Sequence, residues 1–196
     1  ASRSAPVARA RPRSTTSVSQ KMLAVSASAI GSARWSGVRP ASWYDQRPGR
    51  WIAEPSWPSP NIAIQVLPLG QGALGQGGAF SETLCSPQDC GMDGGEFCAI
   101  WLGPEMPGDQ RRDDALSACF DSAILDQTDI VGAPVLTLRL SSDKPMAQVA
   151  VRLNHIHPDG AATRITWGVL NLTHRTSHAA PEPLVPGQSY EVKVAL

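Results

Sequence analysis

Alternation of apolar and polar residues with a period of two runs through the C-terminal half of the chain, and it restricts the fold more than any other feature. In an extended strand successive side chains point to opposite faces, so such a run presents one apolar face and one polar face. The pattern therefore predicts half-buried β-strands. The apolar positions of the three clearest runs are Leu136, Leu138 and Leu140, then Val149, Val151 and Leu153, and finally Tyr190, Val192, Val194 and Leu196.

Turn residues separate the alternating runs. The triplet Pro158-Asp159-Gly160 lies between the run at 148–153 and a further strand predicted at 163–172, so these two strands are predicted to form a hairpin. The pair Pro186-Gly187 precedes the last strand. No convincing amphipathic helix interrupts this half, and 196 residues suit one domain rather than two. We predict an all-β fold, an antiparallel β-sandwich or jelly roll.

The N-terminal part of the chain differs from the rest in charge. Residues 1–44 hold seven basic and no acidic residues, although the whole chain is neutral, with 17 basic and 17 acidic residues. Such an arm can be an organelle-targeting segment, a nucleic-acid-binding arm, or a disordered or foreign flank. The third interpretation is favoured, because no helical apolar stripe is present and no aromatic residue precedes Trp35. No nucleic-acid partner is expected.

Composition divides the chain into three parts. Residues 1–42 form the basic arm, which is rich in Ser, Ala and Arg, and residues 43–107 form a connector rich in Pro, Trp and Gly. Because each proline removes a hydrogen-bond donor and restricts its predecessor, the stretch at 35–60, where prolines alternate with aromatic residues, is predicted to contain neither helices nor central strands. Residues 108–196 are predicted to form the core of the sandwich.

The chain shows no recognisable motif for catalysis or for metal binding. No G-x-S-x-G occurs, and no catalytic triad can be assembled. Four histidines fall close together and could meet if their strands pair, but no Asp or Glu is clearly placed to orient them. We therefore expect no catalytic residue, no metal and no cofactor in this chain. The histidines are His155, His157, His174 and His178.

The four cysteines are too few for a disulfide scaffold and lack the paired spacing of a structural zinc site. They are Cys85, Cys90, Cys98 and Cys119. This usage favours a reducing compartment, and a cytoplasmic location is predicted. The longest apolar run, at 22–30, is too short to span a bilayer, so no membrane partner is expected.

Three carboxylates and two arginines form a dense charged group before a predicted strand. Asp109, Asp113 and Asp114 are interleaved with Arg111 and Arg112. Paired carboxylates can act as acid and base, but neighbouring arginines keep them ionised. The group is predicted to tie down a loop.

The order of several segments resembles the C-terminal domain of the X-Pro dipeptidyl-peptidase and cocaine-esterase (CocE/NonD) family of serine hydrolases. The resemblance covers residues 43–196, and its most specific parts are the strings PDG-x-x-T-R-x-T and G-V-L-N-L-x-H-R. The matching runs are GRWIAEPSWPSPNI (49–62), GDQRRDDALSACFDS (108–122), GAPVLTLRLSSDKP (132–145), HPDGAATRITWGVLNLTHR (157–175) and EPLVPGQSYEVKV (182–194).

The resemblance implies a jelly-roll domain of the galactose-binding-like type that follows an α/β-hydrolase domain. That hydrolase domain carries the Ser, Asp and His triad in the family, and none of the triad residues lies in the matched part. The family's domain continues with further strands, so the sandwich is expected to be incomplete at its C-terminus. The enzyme label is inherited from the family and stays uncertain for this chain.

By this likeness the domain is non-catalytic, packs on the α/β-hydrolase domain of its parent chain and shapes the substrate cleft. The residues predicted to face that domain are large apolar groups outside the alternating strands, namely Trp51, Trp57, Phe97 and Trp101. A free-standing carbohydrate-binding module is the alternative, because related jelly rolls bind sugars and the chain has six tryptophans. A homo-oligomer also stays open.

Overall fold

The structure, a computed structural model, describes most of the chain after residue 54. The described residues are 21–30, 33–34, 55–56, 58–95, 106–123 and 128–196, with the backbone alone for 21–30, 33–34 and 128–129. The four aromatic residues predicted to face a hydrolase domain lie outside these ranges.

The described residues form mainly strands. In chain order the strands are β1 (Lys21–Ile30), β2 (Ala33–Arg34), β3 (Leu69–Gly70), β4 (Ala73–Leu74), β5 (Ala118–Ala123), β6 (Thr128–Asp129), β7 (Val135–Ser141), β8 (Ala147–Ile156), β9 (Ala162–Asn171) and β10 (Ser189–Ala195). Helical structure within the described ranges is limited to a single α-turn, α1 (Arg111–Asp114), and two 3₁₀ turns at Met92–Gly94 and Leu172–His174.

The strands form two sheets that pack face to face, plus the small pair β2–β6. The larger sheet has six strands in the order β3-β4-β5-β1-β8-β9, and the smaller one pairs β10 with β7. The pairs β8–β9 and β7–β10 are antiparallel, whereas β1 runs parallel to both of its neighbours. The predicted class, an all-β sandwich with antiparallel pairing, is confirmed.

The predicted hairpin is present. His157 accepts a hydrogen bond at its carbonyl from the Gly160 N–H, at 2.8 Å, and donates its own N–H to the Ala161 carbonyl, also at 2.8 Å. Gly160 has φ of 85°, a value that L side chains rarely adopt, so glycine suits this turn. The pairing shifts register once, between Leu153 and Asn154.

Apolar side chains of the two sheets meet in one core. The predicted alternation is confirmed: in β10 Val192 and Val194 are buried between exposed neighbours, and in β7 the three leucines are the more buried residues. The buried cluster consists of Ala118, Phe120, Ala147, Val149, Val151, Leu172, Leu184, Val192 and Val194. Leu136, Leu138 and Leu140 pack against it.

The end of β10 passes close to β9 at Gly168. A Cβ atom on Gly168 would overlap the carbonyl oxygen of Ala195. Because that neighbour is backbone, a larger residue would require β10 to shift. The absence of a side chain at Gly168 therefore permits the two sheets to approach here.

Two segments of the basic arm form strands. The backbone of β1 lies between β5 and β8, with Val25 level with Ala118 and Val151. Sheet pairing supplies β1 and β2 with long-range partners that local composition does not reveal. The interpretation of residues 1–42 as a disordered or foreign arm stays a prediction. The division of the chain at residues 42 and 107 stays a prediction.

Candidate functional site

The outer face of the large sheet, which points away from the core, carries a buried polar network. Its centre is Asp113, whose side chain is fully buried. The Asp113 carboxylate accepts hydrogen bonds from the N–H of Gly91, at 2.8 Å, and of Asp93, at 3.1 Å. One carboxylate of α1 thereby fixes the loop that leads into the 3₁₀ turn at Met92–Gly94.

Arg152 of β8 supplies the positive charge of this network. Its Nη2 donates to Asp114 Oδ1 at 3.0 Å and to Ser117 Oγ at 2.9 Å, and its Nη1 lies 3.8 Å from Asp113 Oδ2. The Nδ2 of Asn154 lies 3.0 Å from both carboxylate oxygens of Asp114. Because Arg152 follows Val151 directly, it points to the opposite face of the sheet.

Gln110 extends the network toward the hairpin. Its Nε2 donates to the carbonyl of Asp93, at 2.6 Å, and to that of Gly108, at 2.9 Å, while its own N–H donates to the Ala162 carbonyl. These bonds join the loop before α1 to the start of β9.

Asp109 lies at the exposed margin of the same region. Burial raises the pKa of its carboxyl, but hydrogen bonds from the Arg111 side chain and from the N–H groups of Arg111 and Ala162 outweigh this, so the net shift is downward. Arg111 Nη2 lies 2.6 Å from Asp109 Oδ2. Of the predicted charged group, only Asp109 has an interleaved arginine as its main partner.

The prediction that the charged group ties down a loop agrees with these contacts, but its choice of partners was wrong. Arg112 is exposed and reaches Asp89 at 3.5 Å, whereas Asp113 and Asp114 are held by Arg152. Arg152 is distant in sequence and lies on the polar face of a strand. The sequence did show Arg152 at a polar position of an alternating run, which indicated that it points away from the core. It did not show that Asp113 and Asp114 cover that face of the sheet.

A cavity of about 330 Å³ opens beside this region, between the loops before β5 and β5 itself. It is lined by Gln71, Gly72, Phe80, Ser81, Glu82 and Cys119. Burial, followed by the charges of Asp114 and Asp121, raises the pKa of the Cys119 thiol to about 11. Its Sγ lies 3.1 Å from the Asp114 carbonyl oxygen. At neutral pH this group is a thiol, which is a poor nucleophile.

The four histidines form two pairs. The ring centroids of His155 and His157 lie 4.3 Å apart, and those of His174 and His178 lie 5.4 Å apart. His157 Nε2 is 2.8 Å from Thr163 Oγ1. Within the described residues, no three or more His, Cys, Asp or Glu side chains come together in a group that could hold a metal ion.

An apolar segment before β3 is exposed. Ile64 is 94% exposed and Val66 is 81% exposed, and Leu67 follows with 42%. The segment at 62–67 belongs to none of the described strands. Its alternation of Ile62, Ile64 and Val66 has the period of a strand, a signal that the sequence analysis missed.

A second apolar surface lies on β9. Trp167 is 47% exposed and Val169 is 50% exposed. The Arg164 guanidinium lies 5.5 Å from the centroid of the Trp167 ring, and Arg164 Nη1 donates to the Gly94 carbonyl at 2.6 Å. Arg164 thus connects this surface to the loop that Asp113 fixes.

Among the described residues, the ionisable groups of the polar network hold loops in place, whereas the apolar residues at 62–67 and on β9 are exposed. The charged side chains of the network are paired with one another or with backbone groups, as expected where they hold loops in place. Within the part of the chain described, no helix is long and apolar enough to cross a membrane.

Comparison with known families identifies the family of the chain. The model of the X-Pro dipeptidyl-peptidase C-terminal non-catalytic domain matches residues 34–196. No curated protein matches the chain. The family match includes both sheets from β3 onward, the polar network and both apolar surfaces. This chain belongs to the family of X-Pro dipeptidyl-peptidase C-terminal non-catalytic domains.

Proposed function

We propose that the chain packs on an α/β-hydrolase domain of the X-Pro dipeptidyl-peptidase and CocE/NonD type and forms one wall of its substrate cleft. The observation that carries the proposal is the exposed apolar segment at 62–67. A domain of a multidomain enzyme needs an apolar surface for its neighbour, and contiguous apolar exposure is typical of interaction sites.

The segment is well suited to docking. Ile64 and Val66 are two residues apart, and both side chains are almost fully exposed. Burying each of them against a partner contributes about 1.5–3 kcal/mol. Two such residues can therefore supply a substantial part of a domain interface.

The position of the segment also supports the proposal. It follows Trp57 by only a few residues and leads into β3, the edge strand of the large sheet. The predicted contact residues Trp51 and Trp57 would then belong to one surface that is continuous along the chain with Ile64 and Val66. Phe97 and Trp101 stay predictions of the same interface.

A cytoplasmic location is part of the proposal. The described cysteines Cys85, Cys90 and Cys119 are free thiols, which is the usual state in a reducing compartment.

The test uses a full-length hydrolase that joins this domain to an α/β-hydrolase domain. The double variant Ile64→Asp/Val66→Asp is compared with the wild type by kcat/KM on an ester and on an X-Pro peptide, and by hydrogen exchange. We expect amides at 62–67 to be protected in the full-length protein and not in the isolated chain. The variant should lower kcat/KM at least tenfold, because charges oppose burial at the interface.

Val185→Asp is the matched control, since Val185 is 57% exposed but lies in the turn before β10. It should leave kcat/KM unchanged. Equal exchange at 62–67 in both proteins, together with unchanged kinetics of the double variant, would contradict the docking proposal.

Sugar binding is the second candidate, and exposed Trp167 is the observation that favours it. Aromatic rings pack on the apolar faces of sugars, but the Arg164 guanidinium lies over this ring. We therefore expect no saturable binding of the chain on a glycan array. Binding that Trp167→Ala abolishes would replace docking with carbohydrate recognition.

A further inference from the structure

The loop between β9 and β10 brings two imidazole nitrogens together. His174 ends the 3₁₀ turn at Leu172–His174, and His178 follows four residues later. The distance between His174 Nδ1 and His178 Nδ1 is 3.3 Å, and the two rings are inclined by 47°. His178 is exposed and His174 partly exposed, so both can be reached from solvent.

Hydrogen bonds hold this loop in one conformation. At its start, Asn171 Oδ1 accepts from the Thr173 N–H at 3.1 Å and from the Thr173 hydroxyl at 2.9 Å. At its base, the Glu182 N–H donates to the Thr173 carbonyl at 2.8 Å. Between them, Ser177 Oγ accepts from the N–H groups of Ala179 and Ala180, both at 3.2 Å. The two histidines are therefore positioned by a closed loop.

The spacing of the two nitrogens equals that of two ligands on one metal ion. Zinc binds imidazole nitrogen at about 2.0–2.1 Å in tetrahedral geometry, which places two such nitrogens about 3.3–3.4 Å apart. We propose that His174 and His178 form an exposed, preorganised two-imidazole site for a divalent transition-metal ion such as Zn²⁺ or Ni²⁺. Imidazole is a ligand that suits these ions.

The same distance fits an N–H···N hydrogen bond between the two rings in the metal-free protein. One Nδ1 then carries the proton and the other accepts it. Metal binding requires both Nδ1 atoms to be free of protons, so the proton moves to Nε2 of the same ring through solvent. Each imidazole stays neutral in this exchange, and no other group has to gain or lose a proton.

The charges around the loop permit a cation to bind. Arg175 lies between the two histidines in sequence, but its guanidinium is held elsewhere: it lies 4.6 Å from the Tyr190 ring centroid and donates to the carbonyls of Leu172 and Glu182. No third His, Cys, Asp or Glu joins the pair among the described residues. The remaining coordination positions are thus left to solvent, which predicts modest affinity.

The test is calorimetric titration of the full chain, prepared without a polyhistidine tag, with ZnCl₂ and separately with NiCl₂ at pH 7.5. We expect one metal ion per chain, and at least a tenfold weaker affinity in His174→Ala and in His178→Ala.

His157→Ala is the matched control, since it removes one imidazole from the other histidine pair. Its affinity should equal that of the wild type, and the urea midpoints of all three variants show whether the fold is intact. Absence of binding to the folded wild type, or binding that both loop variants retain, would overturn the proposal. Loss of binding in His157→Ala alone would do the same.

Discussion

The two faces of β8 differ in how they are buried. On one face, Val149 and Val151 pack into the apolar core beneath β10. On the other, Arg152 and Asn154 are also buried but lie among the carboxylates of Asp113 and Asp114. One face of β8 thus contributes to the apolar contact between the sheets, and the other contributes to a polar layer that holds loops in place. This polar layer consists of Asp113, Asp114, Arg152 and Asn154.

The two faces place different requirements on their residues. Apolar packing depends on volume and tolerates related side chains at moderate cost. A buried charge instead depends on each of its partners, because removal of one leaves the others without compensation in a medium of low dielectric constant. The polar face should therefore be the less tolerant of the two.

The largest effect is expected from Asp113→Ala. This change removes the acceptor of the Gly91 and Asp93 N–H groups and leaves the buried Arg152 with less compensation. We expect the free energy of unfolding, measured by urea titration, to fall by about 3–5 kcal/mol. Hydrogen exchange at Gly91 and Asp93 should accelerate as the loop is released.

Asp113→Asn tests the charge of the side chain separately from its size, because the amide is neutral but keeps one acceptor oxygen. It should cost less than the alanine variant while retaining part of the loop protection. A loss below about 1 kcal/mol for Asp113→Ala would show that the network is dispensable, and the contrast between the two faces would then be wrong.

On the core face, Val149→Ala is expected to have a smaller effect. Val149 is fully buried, so the substitution removes two buried methyl groups and leaves a small cavity. We expect a loss of about 2 kcal/mol in the same urea titration, with loop exchange at Gly91 unchanged. A loss larger than that of Asp113→Ala would reverse the proposed ranking of the two faces.

The core face could be predicted from the sequence. The runs that became β7, β8 and β10 show their period directly, because alternation is a local property and one face of each strand is apolar. The hairpin also followed from local turn chemistry at Gly160. These elements need only nearby residues to be identified.

The polar face could not be predicted in the same way. Asp114 and Arg152 meet across 38 residues, and the interleaved Arg111 appeared to be the nearer partner. The position of β1 between β5 and β8 likewise depends on pairing between distant segments. Composition marked that strand only as part of a basic arm, because pairing partners leave no local signature.

The smallest expected effect concerns Cys119, which reports the influence of the polar face on a single thiol. Cys119 lies on β5 between the core residues Ala118 and Phe120 and points to the polar side. Its thiol pKa is raised from an ordinary 9.0 to about 11, first by burial and then by Asp114 and Asp121. The raised pKa means that the neutral thiol is favoured on folding. This contribution to stability is fully present below pH 9 and is lost as the pH rises toward 11.

Alkylation with iodoacetamide at pH 8, followed by peptide mass spectrometry, measures this effect. The folded chain should have about a hundredth of the Cys119 thiolate found in urea, and the greater intrinsic reactivity of a more basic thiolate reduces the difference in rate to about tenfold. Exposed Cys85 reports reagent access in the same sample.

Asp114→Asn should accelerate Cys119 alkylation if the polar layer helps to raise its pKa. An unchanged rate in that variant, with the fold intact, would assign the raised pKa to burial and Asp121, and the polar layer would then hold its loops without influencing the neighbouring thiol.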